Sequence, residues 1–203
     1  MYKLYSLPGT CSTGINALLT HLGEEFEIIN PAQLPEYKTI SPTGQVPALD
    51  DDGLIITEGA AIALYVLEKH NSRSLAGEPS QKAEFLRWLM FNYATLHPAY
   101  SKIFTMSKVM EHDPELNEVI QNLADLVSKT WSIIDERLAS QRFVVGDSAT
   151  IIDYLIAIYA SWGNYFPNQQ IQIGDNTKEL IGRVRELPEF IAAYKKEGIE
   201  YSL

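Results

Sequence analysis

Four places in the chain combine residue types that can do chemistry. Cys11 follows Pro8-Gly9-Thr10 and stands where a helix opens. A helix N-terminus offers free N–H groups and a partial positive charge, and both stabilise a thiolate. That position predicts a thiol pKa below the ordinary value of about 8.5, for Cys11 itself or for a bound thiol. Ser12 and Thr13 add hydroxyls on the same turn. The plainer reading, a buried cysteine acting as a small hydrophobe behind an N-capping Thr10, has even weight for the segment taken alone.

Gln45-Val46-Pro47 begins an apolar run. Proline cannot donate to a strand ladder. If the bond before it is cis, Val46 is left with free backbone groups that can pair with a bound peptide. A trans proline entering an edge strand is the commoner arrangement. Thr57-Glu58-Gly59 precedes a second helix. The N–H groups of Gly59 and Ala60 suit a carboxylate and Glu58 suits an ammonium, which together match the head of an α-amino acid. An isolated acidic residue at a helix start needs no such role. His97 lies on a long helix beside Pro98, where it can exchange a hydrogen bond with a thiol or serve as an interface residue. His21, His70 and His112 fall near helix ends, where solvated roles suffice.

The elements that must hold these residues follow from periodicity. Residues 2–7 read as a strand ended by Pro8-Gly9, residues 12–22 as a helix stopped by Gly23, and 26–29 as a second strand. Strand, helix, strand over so short a span is one βαβ unit with parallel strands. Residues 30–45 read as loop with at most a turn of helix. Residues 46–49 and 54–57 form two strands around Asp51-Asp52-Gly53, a hairpin signal because Asp-Gly tolerates positive φ. A helix then runs from Gly59 to about His70.

Residues 71–81 read as a linker, after which strand signals stop. Helical patterns cover about 82–111, 115–140, 150–165, 177–186 and 188–197, with a kink expected at Pro98. Thr150-Ile151-Ile152-Asp153 has the form of a capping box and is read as structural. The predicted architecture is therefore an α/β domain over residues 1–72, of order βαβ-ββα, and an all-α domain over 82–203.

The totals exclude several classes. With a net charge of -10 the chain has no electrostatic attraction for phosphate backbones, so no nucleic-acid partner is expected. The N-terminus lacks an apolar signal core, and the most apolar stretch, Ala149 to Ala160, is too short to span a bilayer, so no membrane role is expected. One cysteine permits no intrachain disulfide and fits a reducing, cytoplasmic setting. No spacing of His, Cys or carboxylates suggests a metal.

Together, Tyr5-Ser-Leu-Pro-Gly-Thr-Cys11-Ser12, Ser41-Pro-Thr-Gly-Gln-Val-Pro-Ala-Leu49 and Thr57-Glu-Gly-Ala-Ala-Ile62 resemble the glutathione-site segments of bacterial beta-class glutathione transferases. In the second half Trp88-Leu89, Leu96-His97, Phe104, Gly146 to Asp153 and Leu187 to Gly198 resemble the same family's helical domain. The resemblance implies a thioredoxin-like first domain, a cis Pro47, and glutathione as co-substrate. It places Gln45, Val46 and Pro47 at the cysteinyl backbone, Glu58 and Gly59 at the γ-glutamyl group, Cys11 and Ser12 beside the sulfur, and His97 opposite. It implies a detoxifying transferase that conjugates or reduces a small hydrophobic electrophile, and a homodimer. Tyr100, Phe104, Trp162 and Tyr165 are candidates to meet that electrophile, with plain core packing the other reading of each. Met90, Thr95 and Pro98 stand where members of the class often carry Asn, Glu and Lys, and no lysine matches the one that binds the glycyl carboxylate. Those departures leave a non-catalytic binding or scaffold protein on the same fold as the alternative.

Overall fold

A computed structural model describes residues 1–72, 75, 78–109 and 117–203. Strand β1 (Tyr2–Tyr5) leads into helix α1 (Cys11–His21) and strand β2 (Phe26–Ile29), which pairs parallel to β1. A single 3-10 turn (Pro31–Gln33) and a one-turn helix α2 (Tyr37–Ile40) follow. The stretch expected to be loop thus holds slightly more helix than its composition suggests. The aromatic ring of Tyr37 accounts for it, packing on Tyr5 and donating its hydroxyl to the Gln45 carbonyl at 2.8 Å.

Strands β3 (Ala48–Asp51) and β4 (Leu54–Thr57) form the expected hairpin. Its two turn residues, Asp52 and Gly53, both have positive φ, 50° and 97°, the geometry that favours Asp-Gly. The expected strand starting at Val46 starts two residues later, because the Val46–Pro47 bond is cis and lies outside the ladder. The sheet order is β2-β1-β3-β4, with β3 antiparallel to β1. Helix α3 (Gly59–Lys69) returns across the sheet beside α1.

Beyond residue 78 every described element is helical: α4 (Pro79–Phe91), α5 (His97–Val109), α6 (Asn117–Leu138), α7 (Ile151–Ser161), α8 (Asp175–Val184) and α9 (Pro188–Lys196). The linker expected over 71–81 falls partly, and His112 wholly, outside the described residues. Helix α7 is buried on all sides, and α1 packs on both α7 and α9, so one continuous apolar core joins the sheet to the helices. The capping box forms as read. Thr150 Oγ1 accepts from Ile152 N, and the buried Asp153 carboxylate accepts from Thr150 N at 2.8 Å and from Val144 N at 2.9 Å.

The kink expected at Pro98 takes a specific form. Between α4 and α5, residues Asn92–Leu96 wind as a π-helical turn, and the His97 N–H reaches back five residues to the Asn92 carbonyl. Pro98 has no N–H to continue an α-helical ladder, and the wider turn absorbs that loss. Among the described residues no helix is long and apolar enough to cross a membrane.

Candidate active site

The Gly9 turn is held from the helical side. Trp162 Nε1 donates to the Gly9 carbonyl at 2.8 Å. The Glu197 carboxylate, just past α9, accepts from Gly9 N (3.1 Å), Thr13 Oγ1 (2.7 Å), Asn16 Nδ2 (3.2 Å) and Ser6 Oγ (3.1 Å). Burial nonetheless raises the Glu197 pKa, because the four donors only partly replace water.

The turn borders a cleft of about 730 Å³ between the two halves. One wall is built from Leu7–Cys11, Gln45–Pro47 and Thr57–Ala60. The other is built from Tyr93, His97, Ser101, Phe104, Lys108, Trp162 and Tyr165. Of the residues singled out from sequence, Cys11, Gln45, Val46, Pro47, Glu58, Gly59 and His97 all line this cleft.

Ser12 does not. Its hydroxyl is fully buried, accepts from Leu7 N at 3.2 Å and lies 2.7 Å from both the Ser6 and Thr10 hydroxyls. As the second residue of α1 it points under the turn rather than out of it. Tyr100 also lies outside the cleft. It is fully buried and its oxygen accepts from Trp131 Nε1 at 3.0 Å, so it belongs to the packing of α5 on α6. Phe104, Trp162 and Tyr165 do form an aromatic wall, with Phe104 edge-on to Trp162 at 5.8 Å and tilted against Tyr165 at 5.7 Å.

Cys11 departs from expectation in its acidity. Its pKa is pushed up to about 12. Burial is the largest cause and outweighs the lowering by the Cys11 and Ser12 N–H groups, while the Glu58 charge adds to the rise. The helix terminus was correctly placed, but desolvation wins over it. The thiol is neutral and directed at the Val46 carbonyl, 3.7 Å away.

At the start of α3, Glu58 adopts φ 69°, a left-handed conformation uncommon for a side chain larger than glycine. No side chain caps this helix, so its first N–H groups are left to solvent or to a ligand. Opposite, His97 stacks edge-on against Tyr159 and Trp162 and shares a 3.3 Å contact between Nδ1 and Ser101 Oγ. Burial lowers its pKa, so the imidazole is neutral at neutral pH. Among the described residues no three His, Cys, Asp or Glu side chains converge to hold a metal.

The sequence reading missed Tyr93, Ser101 and Lys108 on the cleft wall, Glu197 as the anchor of Gly9, and Trp162 in that second role. Only Pro98, as a helix irregularity four residues after Tyr93-Ala94, gave a hint of the first.

Residues 1–68 match the family model described as glutathione S-transferase, N-terminal domain. Glutathione S-transferase F13 of Arabidopsis thaliana is 30% identical over 156 residues, covering 70% of this chain and 71% of the relative. A glutathione S-transferase from Xylella fastidiosa superposes with a TM-score of 0.86 at 24% identity, covering 98% of this chain and 100% of that one. The beta-class glutathione S-transferase of Sphingomonas chungbukensis does so with a TM-score of 0.79 at 22% identity, covering 98% and 100%. The chain belongs to the glutathione S-transferase family, with the fold of its bacterial beta-class members.

Proposed function

We propose that this protein is a glutathione-dependent transferase that joins the glutathione sulfur to a small hydrophobic electrophile. One observation carries the reading: a single cleft faces Cys11, Val46-Pro47 and the uncapped start of α3 with His97 and an aromatic wall from the helical half. The γ-glutamyl carboxylate sits on the N–H groups of Gly59 and Ala60, with its ammonium at Glu58. The cysteinyl backbone pairs with Val46 beside Gln45 and Pro47. The ligand sulfur then lies next to Cys11, facing His97.

Because Cys11 stays a thiol, the negative charge in the site belongs to the ligand sulfur. The glutathione thiol gives its proton to solvent. Its sulfur forms a bond to the electrophilic carbon while the leaving group departs with its bonding pair. Phe104, Trp162 and Tyr165 suit a flat aromatic electrophile. A thiol-disulfide or peroxide-reducing side reaction through Cys11 is open to the same site. Leu54, Ile55 and Met90 are exposed apolar side chains that a second copy of the chain would cover in a homodimer. A cytoplasmic, detoxifying role is the setting that suits a reduced Cys11.

The test is calorimetric titration of the reduced protein with glutathione, followed by turnover of 1-chloro-2,4-dinitrobenzene. Binding with turnover is the expected result. Binding without turnover of any electrophile tried would turn the reading into that of a non-catalytic glutathione-binding protein, and no binding would remove it.

A further inference from the structure

The cleft holds one cation that glutathione leaves unmatched. Among the described residues that line it, Glu58 and Lys108 carry a full charge at neutral pH, since the His97 imidazole is neutral. Glu58 is matched by the ammonium of the γ-glutamyl group in the reading above. Lys108 is exposed, and among the described residues no carboxylate lies within ion-pair distance of it.

Its place follows from helical spacing. His97, Ser101, Phe104, Thr105 and Lys108 all line the cleft. They stand at i, i+4, i+7, i+8 and i+11 of α5, which is one face of the helix. Lys108 is three turns beyond His97, about 16 Å along the axis, and a side chain leaning toward the helix N-terminus returns the ammonium to about 10 Å from the level of His97. Between the two stands the aromatic wall, Phe104 against Trp162 and Tyr165. The order along the cleft is therefore sulfur site, aromatic wall, cation.

Glutathione has a different wall to follow. With its γ-glutamyl end at Gly59 and its cysteinyl backbone on Val46, its glycyl end continues past Gly44 and Thr43, across the cleft from α5. Lys38 lies there, its Cε 3.6 Å from a methyl group built on Gly44. The net charge of -10 repels anions at long range, so an anionic group in the cleft must be held by a cation within it.

We propose that Lys108 makes the cleft selective for aromatic electrophiles that carry an anionic tail, a carboxylate or sulfonate about 10 Å from the reacting carbon. The inference rests on the glutathione-transferase reading above. The ring lies on Phe104 and Tyr165 with its reacting carbon toward the glutathione sulfur. Lys108 takes no part in bond making; it holds the tail.

The test uses the full chain with saturating glutathione at pH 7 and low salt. Two probes are compared, N-(4-chloro-3-nitrobenzoyl)glycine and its neutral amide. In each the glutathione sulfur bonds to the ring carbon and chloride leaves with the bonding pair. The readout is the ratio of kcat/KM for the acid to that for the amide. Lys108→Gln should lower this ratio about fivefold and Lys108→Glu further, and about 0.3 M salt should lower it in the unmodified chain, as for one exposed ion pair. An unchanged ratio in Lys108→Gln overturns the proposal; if the KM for glutathione rises instead, Lys108 belongs to the glycyl carboxylate. Turnover of chlorodinitrobenzene with neither tailed probe accepted overturns it as well. Failure of the unmodified chain to bind glutathione or to turn over chlorodinitrobenzene overturns the underlying reading itself and is distinguishable from both.

Discussion

Glu197 reaches across 188 positions of sequence to accept the Gly9 N–H at 3.1 Å. The turn that presents Cys11 is therefore fixed by a carboxylate from the opposite half of the molecule. Replacing Glu197 with Ala leaves the Gly9 N–H and the Thr13 hydroxyl without their partner, while Ser6 keeps its contact with Ser12. Destabilisation of about 3 kcal/mol is expected from chemical denaturation, because buried donors left unpaired carry their full desolvation penalty. Glutathione affinity should fall with it. A variant as stable as the parent would show that water substitutes for the carboxylate.

Cys11 should react slowly. With its pKa pushed up to about 12, more than three units above the ordinary value of about 8.5, the thiolate fraction near pH 7 is more than a thousandfold lower than for a free cysteine. Alkylation by iodoacetamide, followed by intact mass, should be slower by about that factor, and should accelerate once denaturant opens the cleft. Modification of the native protein at the rate of a free cysteine would contradict the burial of the thiol.

Gly59 and Tyr93 should be coupled. Gly59→Ala places a methyl group into the Tyr93 ring, and a cost of about 1–3 kcal/mol is expected from overpacking. In a Tyr93→Ala background the same substitution should cost far less. A double-mutant cycle by denaturant unfolding measures the difference, and additive effects would mean that the ring simply moves aside.

Asp153 gives a pH signature. Burial raises its pKa from 3.8 to about 6, against the lowering by the N–H groups of Val144 and Thr150. The folded chain therefore holds a proton that the unfolded chain releases between these values. The stability this contributes is complete below about pH 4 and is lost as pH rises through 6. Asp153→Asn should accordingly be more destabilising, relative to the parent, at pH 4.5 than at pH 7, by about 2 kcal/mol. An equal effect at both pH values would mean that Asp153 is ionised throughout.

The order of strands and helices, the Asp52-Gly53 hairpin and the Thr150–Asp153 box could all be read along the chain because each rests on neighbours within a few residues. The cleft-lining segments around Cys11, Val46 and Glu58 were legible for the same reason: each sits at an element boundary marked by Pro or Gly. What escaped depends on distant partners. The acidity of Cys11 is decided by how completely the helical half covers it, and no local pattern encodes burial. Glu197 and Tyr93 look like an ordinary charged residue near a helix end and an ordinary aromatic on a helix, and only the tertiary fold shows what they touch. Ser12 shares the first turn of α1 with Cys11 but points under it, and Tyr100 takes the core side of its helix, because which way each side chain faces is set by tertiary packing.

The long reach of Glu197 and Trp162 to Gly9 also has a consequence in time. A ribosome adding roughly 5–20 residues per second needs about 10–40 s to travel the 188 residues from Gly9 to Glu197. During that interval the turn before Cys11 lacks at least one of its two distant anchors, and the thiol lacks part of its cover. The nascent chain thus carries a cysteine with far more of the reactivity of a free thiol than the finished protein has, and oxidative or electrophilic damage to this protein should fall disproportionately on molecules still being made.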